Sequence, residues 1–193
     1  MNFLGIDTSA DYLTVVAQKG ERVYTRFLHD CARKHSELLM QEIDAAFKAL
    51  DMRPKDCDFF AATVGPGSFT GIRIGIATIK GLCLSAEKKA LAITSFDTLA
   101  YAEKDEKLLC VVDAGHSAVY ACGYDKRQVV LPPVYCTRDE ALCKDGFKLV
   151  DCNCANPAQG LLQAIVNKSG EIVEAETLTA LYLRKSSAEE NAK

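Results

Sequence analysis

Apolar residues fall along this chain in two rhythms. Near the start they come in runs of strand length, at residues 3–6, 12–17 and 22–28. These predict three strands, with Gln18-Lys19-Gly20-Glu21 turning the second into the third as a hairpin. The rhythm then changes. Over residues 33–50, Leu39, Ile43, Phe47 and Leu50 recur on one side of a 3.6-residue period with charges opposite, which predicts an amphipathic helix. Pro54 ends that region. The apolar run 59–64 predicts a buried strand, and a glycine-rich turn leads from it into an apolar helix over 71–85. Residues 91–94 form a further short strand. Ser95 is a good N-cap for a short helix over 96–102.

The charged cluster 103–107 reads as a boundary, giving lobes of 1–103 and 104–193. Strands then resume at 108–112, 118–124 and 129–135. A short helix at 138–143, a strand at 147–150, a helix at 157–167 and a polar, loose tail after Arg184 complete the pattern. Each half opens with a strand, a turn carrying an aspartate (Asp7, Asp113) and a second strand. That is a repeat of architecture rather than of sequence. It predicts an α/β protein of two lobes, with mixed sheets flanked by helices in an actin-like arrangement.

The stretch Val64-Gly65-Pro66-Gly67-Ser68-Phe69-Thr70-Gly71-Ile72-Arg73-Ile74-Gly75 lies where a strand becomes a helix. Backbone amides at such a place can face an anion. Yet no Gly-Lys-Ser/Thr follows, and the glycine spacing departs from the dinucleotide fingerprint. Gly65, Gly67, Gly71 and Gly75 therefore read as a structural turn that permits close packing. In the helix behind it, Ile72, Ile76, Ile79 and Cys83 form one stripe, while Ile74, Ala77, Leu82 and Leu84 populate other faces. A helix apolar all round needs cover, either from its own lobe or from a partner. Periodicity leaves both open.

Charge and composition narrow the chemistry. The formal net charge is −3 and no basic stripe stands out, which disfavours autonomous nucleic-acid binding. Nine cysteines, an odd count set partly inside predicted strands and helices with no signal peptide ahead, read as reduced thiols of a cytoplasmic protein. Cys152-Asn153-Cys154 lacks the two-residue gap of zinc and redox motifs. The apolar segment 72–86 carries Arg73 and Lys80, so no membrane span is expected. The three histidines have no metal-ligand spacing, and no Gly-x-Ser-x-Gly elbow is present. Asp7 and Thr8 after the first strand, with Asp113 and Gly115 in the matching turn, either face a vestige of a nucleotide cleft or simply close two turns.

Four motifs carry a resemblance. The residues Phe3-Leu4-Gly5-Ile6-Asp7-Thr8-Ser9, Arg33-Lys34-His35-Ser36-Glu37-Leu38-Leu39, the long glycine motif and Thr94-Ser95-Phe96-Asp97-Thr98-Leu99-Ala100 closely resemble the TsaB (YeaZ) family. Tyr182-Leu183-Arg184-Lys185-Ser186-Ser187-Ala188-Glu189 is similar to its C-terminal signature. The resemblance implies an actin/Hsp70/sugar-kinase-like fold and a non-catalytic subunit. Such a subunit supports TsaD in forming threonylcarbamoyladenosine on tRNAs that read ANN codons, and recruits TsaE. It implies no cofactor and no metal: the His-x-x-x-His pair of TsaD corresponds here to Ser95 and Leu99. Asp113 stands where a phosphate would sit. The resemblance makes two N-lobe helices the surface that meets TsaD, or a second copy when the chain is alone. Leu39, Ile43 and Phe47 of the first, with Ile72, Ile76, Ile79 and Cys83 of the second, are the expected interface. tRNA is met only within the complex. The rival readings are a metalloprotease-like hydrolase and an autonomous nucleotide-binding protein.

Overall fold

The computed structural model describes residues 1–153 and 156–184. Its first sheet is built on β1 (Asn2–Asp7), whose residues beyond Asn2 are all buried. A strand without a polar face must be central. β2 (Leu13–Lys19) and β3 (Arg22–Leu28) continue antiparallel on one side, while β4 (Phe59–Thr63) and β5 (Lys89–Ile93) lie parallel on the other. The order is β3-β2-β1-β4-β5. The two-residue period of β1 splits its side chains between two layers. Leu4 and Ile6 join the core under α1 (His35–Leu50) and α2 (Phe69–Ala86). Phe3 faces the other way, onto Leu161, Leu162 and Ile165 of α5 (Pro157–Lys168). Gly5 is needed there, because a Cβ would collide with the Ile165 side chain.

The second sheet repeats the plan. β6 (Lys107–Gly115), β7 (Ala118–Asp125) and β8 (Gln128–Thr137) run antiparallel, and β9 (Lys148–Val150) joins β6 in parallel, giving β8-β7-β6-β9. The architectural repeat read from the sequence is present strand for strand, with four strands in the second sheet among the described residues against five in the first. Between the sheets, α3 (Ser95–Ala102) buries Phe96, Leu99 and Ala100 against Leu108, Cys110, Cys122 and Tyr124. The five-residue α4 (Arg138–Leu142) caps the opposite face of the second sheet through Ala141.

The lobes are not consecutive halves of the chain. A cut at 103/104 separates the strands of the two sheets but not their cover. α5 packs on α3 and closes the far face of the first sheet, burying Leu161, Leu162 and Ile165 with Phe3, Phe59 and Leu91. The segment after α5 also returns. Val173 bridges to Ala90, Leu178 enters the first core, and the Leu181 amide donates to the Val64 carbonyl at 2.8 Å. Leu183 then packs on the core of the second lobe.

Several expectations are corrected in detail. α1 begins at His35 rather than Arg33, whose φ is 65°. α2 begins two residues early, at Phe69, with Ser68 as its cap. The cap of α3 is Thr94, not Ser95. Thr94 Oγ1 accepts from the Asp97 amide at 3.0 Å, and Asp97 accepts from the Thr94 amide at 2.9 Å. Ser95 instead turns inward and donates to the Pro66 carbonyl at 2.7 Å. α2, at 18 residues, is long and apolar enough by length and composition alone to cross a membrane, while its inner face is the core of the first sheet. Among the described residues Cys31, Cys57, Cys83, Cys122, Cys136 and Cys143 are free thiols. Cys154 and the tail beyond Arg184 lie outside the described residues.

Candidate interlobe cleft and helix faces

The glycine turn wraps the end of β1. Gly65 and Gly67 take φ values of 104° and 153°, which a side chain resists. Ser68 N donates to the Ser9 carbonyl at 2.6 Å, and Thr8 Oγ1 donates to the Gly71 carbonyl at 2.7 Å. A Cβ on Gly67 would strike the Ser9 carbonyl oxygen, one on Gly71 the Thr8 carbonyl oxygen, and one on Gly75 the Thr8 hydroxyl at 2.6 Å. The Ser68 amide thus meets an oxygen of the chain's own loop, and the Gly71 amide meets Ser68 Oγ, which accepts from it at 3.2 Å. All four predicted glycines belong to this one junction.

Asp7 lies under the junction, fully buried. Its carboxylate accepts from the Ser9 amide at 2.8 Å and from the Tyr12 hydroxyl at 3.3 Å. Burial pushes this carboxyl above the ordinary carboxylate range, against the hydrogen bonds that favour its charge. Burial, with the nearby Asp7 charge adding to it, drives the Tyr12 phenol well above its usual value.

Above the junction, between the sheets, opens a cleft of about 630 Å³. Asp11, Asp30 and Asp113 line it with Tyr12, Ser95 and Leu99, and among the described residues its lining contains no lysine or arginine. Of the four predicted cleft residues only Asp113 faces it, its carboxylate accepting from the Gly115 amide at 3.0 Å. Asp7 and Thr8 are buried behind the wall, and Gly115 is not part of the lining. Three carboxylates, with His29 and no lysine or arginine in the described lining, oppose a polyphosphate here unless a metal ion bridges them.

The seven predicted interface residues are placed differently from expectation. Leu39, Ile43, Phe47, Ile72, Ile76, Ile79 and Cys83 are each no more than 9% exposed and form the core under the first sheet. The stripe that periodicity finds is the inward face. The outward surface belongs to residues outside that expected interface: Leu84 on α2, 81% exposed, and Met40 on α1, 54% exposed. Along α1 and the segment that follows it runs an open groove of about 1140 Å³, which reaches α2 at Leu82, has Ile43 and Phe47 in its lining and is rimmed by Lys19, Asp44, Lys48, Asp51, Arg53 and Asp56. The signal that could have found this surface was present. Leu84 lies off the Ile72–Ile76–Ile79–Cys83 stripe, on a helix too apolar to need only one buried side.

Two mixed sheets of matching topology, joined by helices around a central cleft, define a two-lobed protein of the actin/Hsp70/sugar-kinase class. The family model described as "TsaD: tRNA N6-adenosine threonylcarbamoyltransferase" matches residues 29–145. The chain belongs to this family, on its TsaB (YeaZ) side. It is 29% identical over 136 residues to the tRNA threonylcarbamoyladenosine biosynthesis protein TsaB of Bacillus subtilis, covering 69% of this chain and 59% of that protein. It is 30% identical to TsaB of Buchnera aphidicola, covering 66% and 62%. The chain thus spans less than two thirds of the length of these curated relatives. A Pseudomonas aeruginosa crystal structure, described as an uncharacterized protein with similarity to peptidase YEAZ, shares the fold at a TM-score of 0.81. Its identity is 22%, over 95% of this chain and 99% of that one.

Proposed function

We propose that this chain is a non-catalytic scaffold and activator subunit for threonylcarbamoyl transfer to adenosine in ANN-decoding tRNAs. It pairs with a TsaD-type catalytic subunit, recruits TsaE and meets tRNA only within that assembly, in the cytoplasm. The chemistry and any metal belong to the catalytic partner, since Ser95 and Leu99 offer no imidazole and three aspartates line the cleft. One observation carries the reading: on the outer sides of α1 and α2, Met40 and Leu84 stand exposed, Met40 at the edge of a groove whose lining mixes apolar and charged side chains. A partner that covers both helices would bury these side chains. Such anchors cost about 1–3 kcal/mol each when truncated. A second copy of the chain can use the same face when the partner is missing, giving a homodimer.

The test is omission. Cognate TsaD, TsaE, a threonylcarbamoyl-adenylate synthase, ATP and tRNA are combined with and without this protein, and modified adenosine is measured by mass spectrometry. The expected result is product only when the chain is present, and none from the chain alone. Equal product without it sinks the proposal.

A further inference from the structure

The second lobe carries the one place in the chain where an aspartate is followed by glycine. Of fourteen aspartates and five asparagines, only Asp145 has a neighbour without a Cβ on its C-terminal side. The pair lies in the turn between α4 and β9. α4 ends with the Cys143 amide donating to the Asp139 carbonyl at 3.1 Å and the Lys144 amide to the Ala141 carbonyl at 3.2 Å. The chain then passes toward β9 through Gly146, whose φ is 81°. Residues 142–146 are all exposed. Among the described residues, neither the Asp145 carboxylate nor the Gly146 amide has a hydrogen-bond or ion-pair partner. Nothing stands within 4 Å of the position that a Cβ on Gly146 would take. Asp113 differs on both counts: Ala114 follows it, and its carboxylate accepts from the Gly115 amide at 3.0 Å.

We propose that Asp145 is a modification site, where the chain isomerises spontaneously to isoaspartate. The Gly146 nitrogen attacks Asp145 Cγ, the carboxyl OH leaves with the amide hydrogen as water, and a five-membered succinimide forms. Water then adds to the Asp145 main-chain carbonyl carbon and breaks its bond to the Gly146 nitrogen. The main chain now runs through Cγ, one methylene longer, and the former main-chain carbonyl is a carboxylate. One water leaves and one returns, so no oxidant, cofactor or enzyme is needed. Ring closure is intramolecular, and its rate depends on how readily the two groups meet. A side chain on the following residue would crowd that approach, and hydrogen bonds to either group would hold them apart; Asp145 and Gly146 have neither. The added methylene falls two residues ahead of Phe147, which packs on Leu109, Val111 and Ala141, so the change loosens one face of the second sheet. The core beneath α1 and α2 belongs to the first sheet and is left as it was. The inference is independent of the proposed role in tRNA modification.

The full chain is held at neutral pH and moderate warmth for several weeks and then digested. Its peptides are separated by liquid chromatography and read by mass spectrometry. A protein-isoaspartate methyltransferase with a labelled methyl donor counts the modified sites independently. The expected result is a new peptide holding residue 145, equal in mass to its parent, different in retention and growing with time. Asp145→Glu, whose longer side chain would have to close a larger ring, is expected to lower methyl labelling at least about tenfold and to leave the melting temperature unchanged. The native protein should react within about tenfold of its rate in urea, because the turn already leaves both groups unpaired. Labelling that persists in Asp145→Glu overturns the inference, as does isoaspartate at residue 145 no higher than at the other aspartates. A native rate further below the urea rate than that margin overturns it as well, since the fold would then be shielding the pair.

Discussion

Asp7 is a carboxyl group in the wrong solvent. Burial raises its pKa, so the folded state holds a proton that the unfolded state has released. Stability conferred by the protonated form is present at low pH and is lost as pH rises from the ordinary carboxylate range through the folded value. Above that point the charged, buried carboxylate is a standing cost, about 1.4 kcal/mol for each pH unit that separates the folded from the unfolded titration. Asp7→Asn keeps an acceptor for the Ser9 amide and removes the charge. It is expected to raise the melting temperature by a few degrees at pH 8, with the gain shrinking as the pH is lowered toward 4. Thermal unfolding by circular dichroism across that range checks it; a constant difference at every pH would refute the account. The same residue marks a limit of sequence reading. Asp7 was legible as a candidate, but whether it faced a ligand or a turn depended on Tyr12 and Ser9 closing over it, and no local pattern encodes that closure.

At the scale of elements, most strands and helices were legible because the apolar period differs so sharply between them. Phe59–Thr63 is apolar on both faces and is central; 33–50 is apolar on one face and lies on the sheet. The orientation of α2 was not legible in the same way. Periodicity states which residues share a face, never what covers that face. Ile72, Ile76 and Ile79 share a face, and the lobe's own sheet covers it. The consequence is a pair of opposed expectations. Ile76→Asp places a charge in the core and is expected to unfold the first lobe, at a cost of several kcal/mol. Leu84→Asp changes a side chain that is 81% exposed and is expected to leave the melting temperature nearly unchanged while weakening association with the catalytic partner at least tenfold. Melting curves and size-exclusion profiles of the two variants, run side by side, decide it. A Leu84→Asp protein that still forms the complex removes α2's outer face from the interface. The cap of α3 was missed for a related reason. Thr94 and Ser95 are both good caps in isolation, and only the burial of Ser95 beside Pro66 chooses between them.

At the scale of the whole molecule, the two lobes are held by what comes after them. Lys89 pairs with Glu174 at 2.6 Å, Lys80 donates to the Glu176 carbonyl at 3.0 Å, and Leu178 is buried in the first core. Asp97, at the start of α3, accepts from Lys168 at 3.1 Å and from Tyr124 at 3.0 Å, tying α5 to the second sheet. Surface pairs such as Lys89–Glu174 contribute little by themselves; the apolar contacts set the strength. Leu178→Ala is expected to cost about 2–5 kcal/mol. It should also raise amide hydrogen exchange in α2 as well as in the strap, because both share that core. Exchange confined to residues 172–184 would show the strap to be a passenger. This arrangement also sets a schedule for the nascent chain. The ribosome delivers β1 to β5 early, yet one face of that sheet stays bare until α5 emerges, and the α2 side stays open until Leu178 follows. The strands of the first lobe are therefore synthesised before those of the second, yet its core is finished after them. A partner that reads its helices meets them in final form only after the chain through Leu178 has been translated.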